Sequence, residues 1–135
     1  MIKTTVISVR GQDYESLMAN PDFVYVGRRV HYTKWQTPSV FANPYSVHSF
    51  PSNALAFFEA DLALAYLGLI VPKRMDRHGK SHHYEDQFRA MIPRLGELRG
   101  KTLGCWCGNY PENPDLVCHA RLLAELVNAI EGSKR

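Results

Sequence analysis

"LRGKTLGCWCGNYPENPDLVCHARLLAEL" occupies residues 98–126, and its reading sets the fold class. After a turn at Arg99-Gly100-Lys101, the run "TLGCWC" has the length and bounding residues of a strand. The segment "VCHARLLAELVNAI" then places Leu122, Leu123, Leu126, Val127 and Ile130 at helical spacing. A strand followed by a helix is the repeating unit of α/β layers. Upstream, "TTVISVR" (residues 4–10) is β-branched and reads as a first strand. "GQDYESLMANPD" carries turn residues at both ends and room for one helical turn. "FVYVGRRV" (residues 23–30) reads as a second strand, buried on both faces because its alternation is imperfect.

The connection "HYTKWQTPSVFANPYSVHSFPS" (residues 31–52) is rich in rings and prolines, so it is expected to pack on the body or carry function. Ser52 or Asn53 caps a helix that runs to about Leu67, before Gly68. "PKRMDRHGKSHH" (residues 72–83) reads as a polar loop. "YEDQFRAMIPRLGEL" (residues 84–98) reads as a helix with Phe88, Ile92 and Leu95 as its apolar stripe, kinked or ended by Pro93. Strands and helices alternate. The expectation is a single small α/β domain over residues 1–131, a mostly parallel sheet of few strands flanked by helices (Rossmann-like), with a flexible tail at 132–135.

A chain of 135 residues is large enough for one real core. With 45% apolar and 21% charged residues it has the composition of a folded soluble domain and not of a disordered one. The net charge of +3 is mild. It suits an anionic ligand and lacks the basic stripe of most DNA binders, although nucleic acid stays open as a partner. The most apolar stretch, residues 54–71, contains Glu59 and Asp61, so it reads as a buried helix and not a membrane crossing. The two acids are expected on that helix's polar side. Met1-Ile2-Lys3 leads straight into a strand-like run, which reads as no signal peptide. Three cysteines, an odd number, point to a reducing cytoplasm. Nothing in the pattern speaks to oligomeric state.

All three cysteines fall in the quoted stretch. Strand alternation puts Cys105 and Cys107 on one face and Trp106 on the other. A tight return brings Cys118 and His119 toward them, which makes Cys105, Cys107, Cys118 and His119 an alternative zinc set. Two features oppose zinc. Only one residue separates the first pair, and Cys118 and His119 are neighbours that do not face the same point on a helix. No cofactor is therefore expected, with zinc as the alternative. A functional thiol fits better. Cys118 begins a helix, where the dipole and open N–H groups favour a thiolate, and Arg121 adds positive charge three residues on. Buried apolar cysteines with a capping His119 remain the plain alternative.

Other candidates lie at strand ends and in the long loop. Arg28 and Arg29 end the second strand, where a guanidinium clamps carboxylate or phosphate, or is simply solvated. Ser39, Asn43 and Tyr45 follow. Asn43 before Pro44 is biased to extended geometry, which either holds its amide toward a ligand or fixes a turn. Trp35, Phe41 and Tyr45 make either a stacking wall or core. His82, His83 and Tyr84 read as a solvated loop; Glu85 and Asp86 are acids that could serve a cleft. Neither a dinucleotide GxGxxG run nor a P-loop is present.

Leu103-Gly104-Cys105-Trp106-Cys107, then Cys118-His119 and a leucine-rich helix, resembles domain of unknown function family 4326, found in bacteria and bacteriophages. Val26-Gly27-Arg28 is similar to that family's "IGR"-like strand end, Ser39 with Asn43-Pro44 to its "S…NP" loop, and Leu98-Arg99-Gly100-Lys101 to the run before its cysteines. The gap at 108–117, with Pro111 and Pro114, is longer than the family usually shows. The resemblance implies a family and no reaction.

These readings converge on a small cytoplasmic enzyme without a membrane partner. It would bind a nucleotide-like or phosphorylated small molecule and catalyse group transfer or hydrolysis on it. Cys107, Cys118 and His119 are the catalytic candidates. Gly27, Arg28, Ser39, Asn43, Tyr45 and Arg121 are the ligand-binding ones. The competing expectation is a non-catalytic, zinc-stabilised module that binds nucleic acid or protein.

Overall fold

A three-stranded parallel sheet organises the first part of the structure, a computed structural model that describes residues 3–106 and 118–133. Its strands are β1 (Thr5–Ser8), β2 (Phe23–Tyr25) and β5 (Thr102–Cys105). The order is β1-β5-β2, so the last strand in sequence is central. Thr5 pairs with Thr102 and Ser8 with Cys105 on one side; Phe23 pairs with Thr102 and Tyr25 with Gly104 on the other. Helix α1 (Tyr14–Ala19) joins β1 to β2, its start capped by Asp13, whose carboxylate accepts from Ser16 N at 3.1 Å. Helix α4 (His119–Ser133) packs against β1 and β5. It continues two residues into the stretch expected as a tail.

The two faces of β5 follow its alternation. Leu103 and Cys105 are buried on the face that α4 covers with Ala120, Leu123, Ala124 and Val127. The opposite face carries a cluster of Val9, Phe23 and Trp35, with Ile7, Tyr14, Leu17, Tyr25, Val30 and Trp106 packed on it. Gly104 lies on that face, and a Cβ there would come within 2.5 Å of the Phe23 ring and 2.7 Å of Val9 Cγ1. The glycine of "GCWC" is therefore a packing requirement. At the edge strand β1, Asn128 of α4 completes the ladder: its amide accepts from Thr4 N at 2.9 Å and donates to Thr4 O at 3.0 Å.

Contacts divide the chain into two compact units, Met1–Ala42 with Leu95–Arg135, and Asn43–Arg94. The second unit is built on α2 (Ala54–Tyr66) and α3 (Glu85–Met91), with a hairpin of β3 (Arg74–Met75) and β4 (Ser81–His82) between them. Phe58, Leu62, Phe88 and Met91 are buried. Tyr45 is packed edge-on by Phe50, Phe57 and Tyr84 at 5.0, 5.5 and 5.2 Å. Among the described residues the chain is thus a mixed α/β protein with one three-stranded parallel sheet and four α-helices.

Three expectations change, and one is narrowed. The second strand stops at Tyr25, where the chain turns and the Tyr25 hydroxyl donates to the Arg28 carbonyl at 2.5 Å. The polar run 72–83 holds the β3–β4 hairpin, closed by Asp76 N donating to Lys80 O at 2.8 Å and by Gly79 at φ 78°. Pro93 ends α3 at Met91, and the chain goes on as a 3-10 helix (Ile92–Leu98). Asp61 is fully buried and not on the polar side of α2. It is held by the Tyr45 hydroxyl and by Arg74 Nη2 at 2.6 Å. Their hydrogen bonds offset the cost of burying its charge. Burial and this carboxylate push the Tyr45 hydroxyl well above the ordinary phenol range, and Asp61 raises Arg74.

Candidate functional site at the carboxyl ends of the sheet

Parallel strands deliver their carboxyl ends to one edge, where α/β proteins collect ligands. Here β1 is followed by Arg10, β5 by Trp106, and β2 by Val26, Gly27 and Arg28. Helix α4 starts at the same edge, with Cys118 in the cap position: its carbonyl accepts from Arg121 N at 3.0 Å and Leu122 N at 3.4 Å. Cys118 Sγ lies 3.4 Å from Cys105 Sγ. His119, the next residue, turns to the other strand and donates from Nε2 to the Val26 carbonyl at 2.7 Å. Adjacency on the helix therefore sends the thiol to β5 and the imidazole to β2, as neighbours on a helix must. The strand end and the helix start do meet across the long gap.

His119 is buried, and burial holds its pKa below the ordinary imidazole value. The Val26 hydrogen bond and Cys118 oppose that shift, while the positive charge of Arg28 adds to it. The ring is accordingly neutral at pH 7, with Nε2 carrying the proton. Arg28 is exposed, and its field reaches the imidazole. Arg10 covers the central strand's end: its Nε donates to Trp106 O at 2.7 Å and its guanidinium lies 5.3 Å from the Trp106 ring centre. Arg10 was not singled out in the sequence, yet it is marked by the same signal as Arg28, an arginine just past a strand. Arg121 is half-exposed and pairs with Glu125 at 3.7 Å.

At Gly27 the Tyr25 ring takes the space of a side chain: a Cβ there would fall 2.5 Å from the Tyr25 hydroxyl. Ser39 ties the long loop to it: Ser39 N donates to Gly27 O at 3.0 Å, and its Oγ accepts from Phe41 N at 3.0 Å. Ser39 and Tyr25 also line a cleft of about 410 Å³ beside β2, with Tyr14, Trp35 and Lys34.

In the second unit, Asn43 donates to Ala54 O at 3.2 Å and accepts from Tyr45 N at 2.9 Å, the turn-fixing role of its two readings. Trp35, Phe41 and Tyr45 are buried core residues, so they form no exposed stacking wall. His82 is not a solvated loop residue: its Nε2 is 2.8 Å from Asp76 Oδ2, and Nδ1 is 3.1 Å from the Tyr84 hydroxyl. His83 donates to the Val71 carbonyl at 2.8 Å. Glu85 accepts from Val71 N at 2.9 Å.

Of the four residues in the zinc set only Cys107 lies outside the described residues, as does the 108–117 insert. Among the described residues no three Cys, His, Asp or Glu side chains are grouped as a metal site requires. No helix among them is long and apolar enough to cross a membrane.

The fold defines a small mixed α/β protein in which the start of α4, with Cys118 and His119, meets the carboxyl edge of a parallel sheet. The chain belongs to the family described as Domain of unknown function (DUF4326), whose model matches residues 9–129. No curated protein and no solved structure matches it.

Proposed function

We propose that this protein is an enzyme that binds a nucleotide-like or phosphorylated small molecule at the carboxyl edge of a Rossmann-like sheet and carries out group transfer or hydrolysis on it. The observation that carries the reading is the convergence of Cys118 and His119 with the Val26-Gly27-Arg28 turn, through the His119–Val26 hydrogen bond. Arg28 offers bidentate donors to the phosphate. The cleft beside β2, on the sheet face opposite α4, adjoins that turn through Tyr25 and Ser39 and gives room for a ring whose phosphate reaches round the strand end to Arg28. Cys118 supplies the nucleophile at a helix start, and neutral His119 keeps its ring oriented by Val26.

The test is a thermal-shift panel of nucleosides and their mono- and diphosphates, followed by turnover assays on any ligand that stabilises. Arg28→Ala should weaken the phosphorylated ligands by ~10-fold or more, the worth of one charge-assisted contact. Cys118→Ala should keep binding and lose turnover. No shift with any phosphorylated compound, or a shift unchanged by Arg28→Ala, overturns the reading. A second reading, a zinc-stabilised binding module, is favoured by the His119 geometry: metal-ligating histidines donate their other ring N–H to a carbonyl in this way. It requires stoichiometric zinc in the purified chain and loss of folding with chelator.

A further inference from the structure

The two sulfurs that meet between β5 and α4 differ in access. Cys105 is 2% exposed, on the strand face that α4 covers, while Cys118 is part-exposed at the helix start. Their 3.4 Å approach is thiol contact and not a bond. Closing it to a disulfide takes a movement of ~1–1.5 Å. The helix N-terminus favours the thiolate at Cys118, which is the form that attacks. Buried Cys105 is disfavoured as a first nucleophile but stands in line to attack a sulfur held at position 118. An accessible attacking thiol with a buried one in contact behind it is the geometry of a dithiol redox couple.

We propose that Cys105 and Cys118 form a reversible dithiol–disulfide couple whose oxidant is a small-molecule disulfide, with Cys118 as the attacking thiol and Cys105 as the resolving one. The Cys118 thiolate attacks one sulfur of the disulfide, forming a mixed disulfide and expelling the other sulfur as a thiolate. Cys105 gives up its proton and attacks the Cys118 sulfur, expelling the second half. The two cysteines lose two electrons and two protons. The small disulfide gains both and leaves as two thiols. The new bond ties the start of α4 to the end of β5. This couple does not depend on the ligand reading above, because it requires only the two sulfurs.

The experiment equilibrates the full chain with graded ratios of oxidised to reduced glutathione, traps remaining thiols by alkylation, and maps them by mass spectrometry. Chymotryptic cleavage after Trp106 separates Cys105 from Cys107. Bound zinc is measured on the same preparation. The expected result is joint, reversible loss of the Cys105 and Cys118 thiols, with a Cys105–Cys118 crosslinked peptide, and the same crosslink in Cys107→Ser. In Cys118→Ser, Cys105 should react with a small disulfide at least ~10-fold more slowly than Cys118 does in the parent chain, as burial requires. The inference is overturned if Cys105 stays reduced while other thiols oxidise. It is also overturned if Cys107 replaces Cys105 in the crosslink, if no thiol is lost, or if one zinc per chain shields the sulfurs until chelator is added. Should Cys107→Ser fail to fold, the map of the parent chain decides alone.

Discussion

At the scale of single residues, two glycines explain more of the sequence pattern than the cysteines do. Gly104 and Gly27 both lie where a ring takes the space of a side chain. At Gly104 the neighbours are Phe23 and Val9 inside a packed cluster, so an added methyl has nowhere to push. At Gly27 the neighbour is the outer end of Tyr25, which is part-exposed and can swing away at the loss of its bond to Arg28 O. Gly104→Ala should therefore cost ~1–3 kcal/mol, the usual range for overpacking, and Gly27→Ala less. Urea melts of the two variants check this; equal costs would mean that the Phe23 ring gives way as easily as Tyr25. The cysteines could be read from sequence as a group because strand alternation and helix start follow from local pattern. Asp61 could not. A carboxylate in an apolar helix reads as polar-face, and its partners Tyr45 and Arg74 lie 16 and 13 residues away.

At the scale of elements, the β3–β4 hairpin is held by one carboxylate. Asp76 accepts from His78 N at 2.8 Å and Lys80 N at 3.0 Å while its other oxygen meets His82. His82 foremost, then these backbone donors, lower the Asp76 pKa from 3.8 to about 2, against the effect of burial. A depressed carboxylate pKa means that the unfolded chain binds the proton first. The contribution is complete above pH 3.8 and is lost as pH falls toward about 2. Asp76→Asn should flatten the acid limb of a stability–pH curve in that window, measured by urea melts. An unchanged limb would show that other carboxylates set it. The hairpin also marks where pattern reading fails for a physical reason. Two-residue strands leave no alternation to read, and a turn closed by a side chain looks polar in sequence. Longer elements were legible: "TLGC" and the α4 run carried their period plainly, and Pro93 announced the end of α3. Strand order was not legible, because nothing local says that the last strand enters the middle.

At the scale of the whole molecule, each unit carries its own core and its own closing interactions. The first has the parallel sheet, the ring cluster around Trp35, and Asn128 bonded to Thr4. The second has α2, α3 and the buried Asp61–Tyr45–Arg74 group. Removing Asp61 leaves the buried Tyr45 hydroxyl and the part-exposed Arg74 guanidinium without their shared carboxylate, a loss of about 3 kcal/mol, the low end for a buried pair because Arg74 keeps contact with solvent. If the units open separately, Asp61→Ala should raise native-state hydrogen exchange across α2 and α3 on the order of 100-fold, while amides of β1, β2 and β5 keep their protection. Gly104→Ala should do the reverse, loosening the sheet and sparing α2. Parallel loss of protection in both units by either variant would show that the chain opens as one cooperative block. The site at the sheet edge would then share its stability with a carboxylate from the other unit.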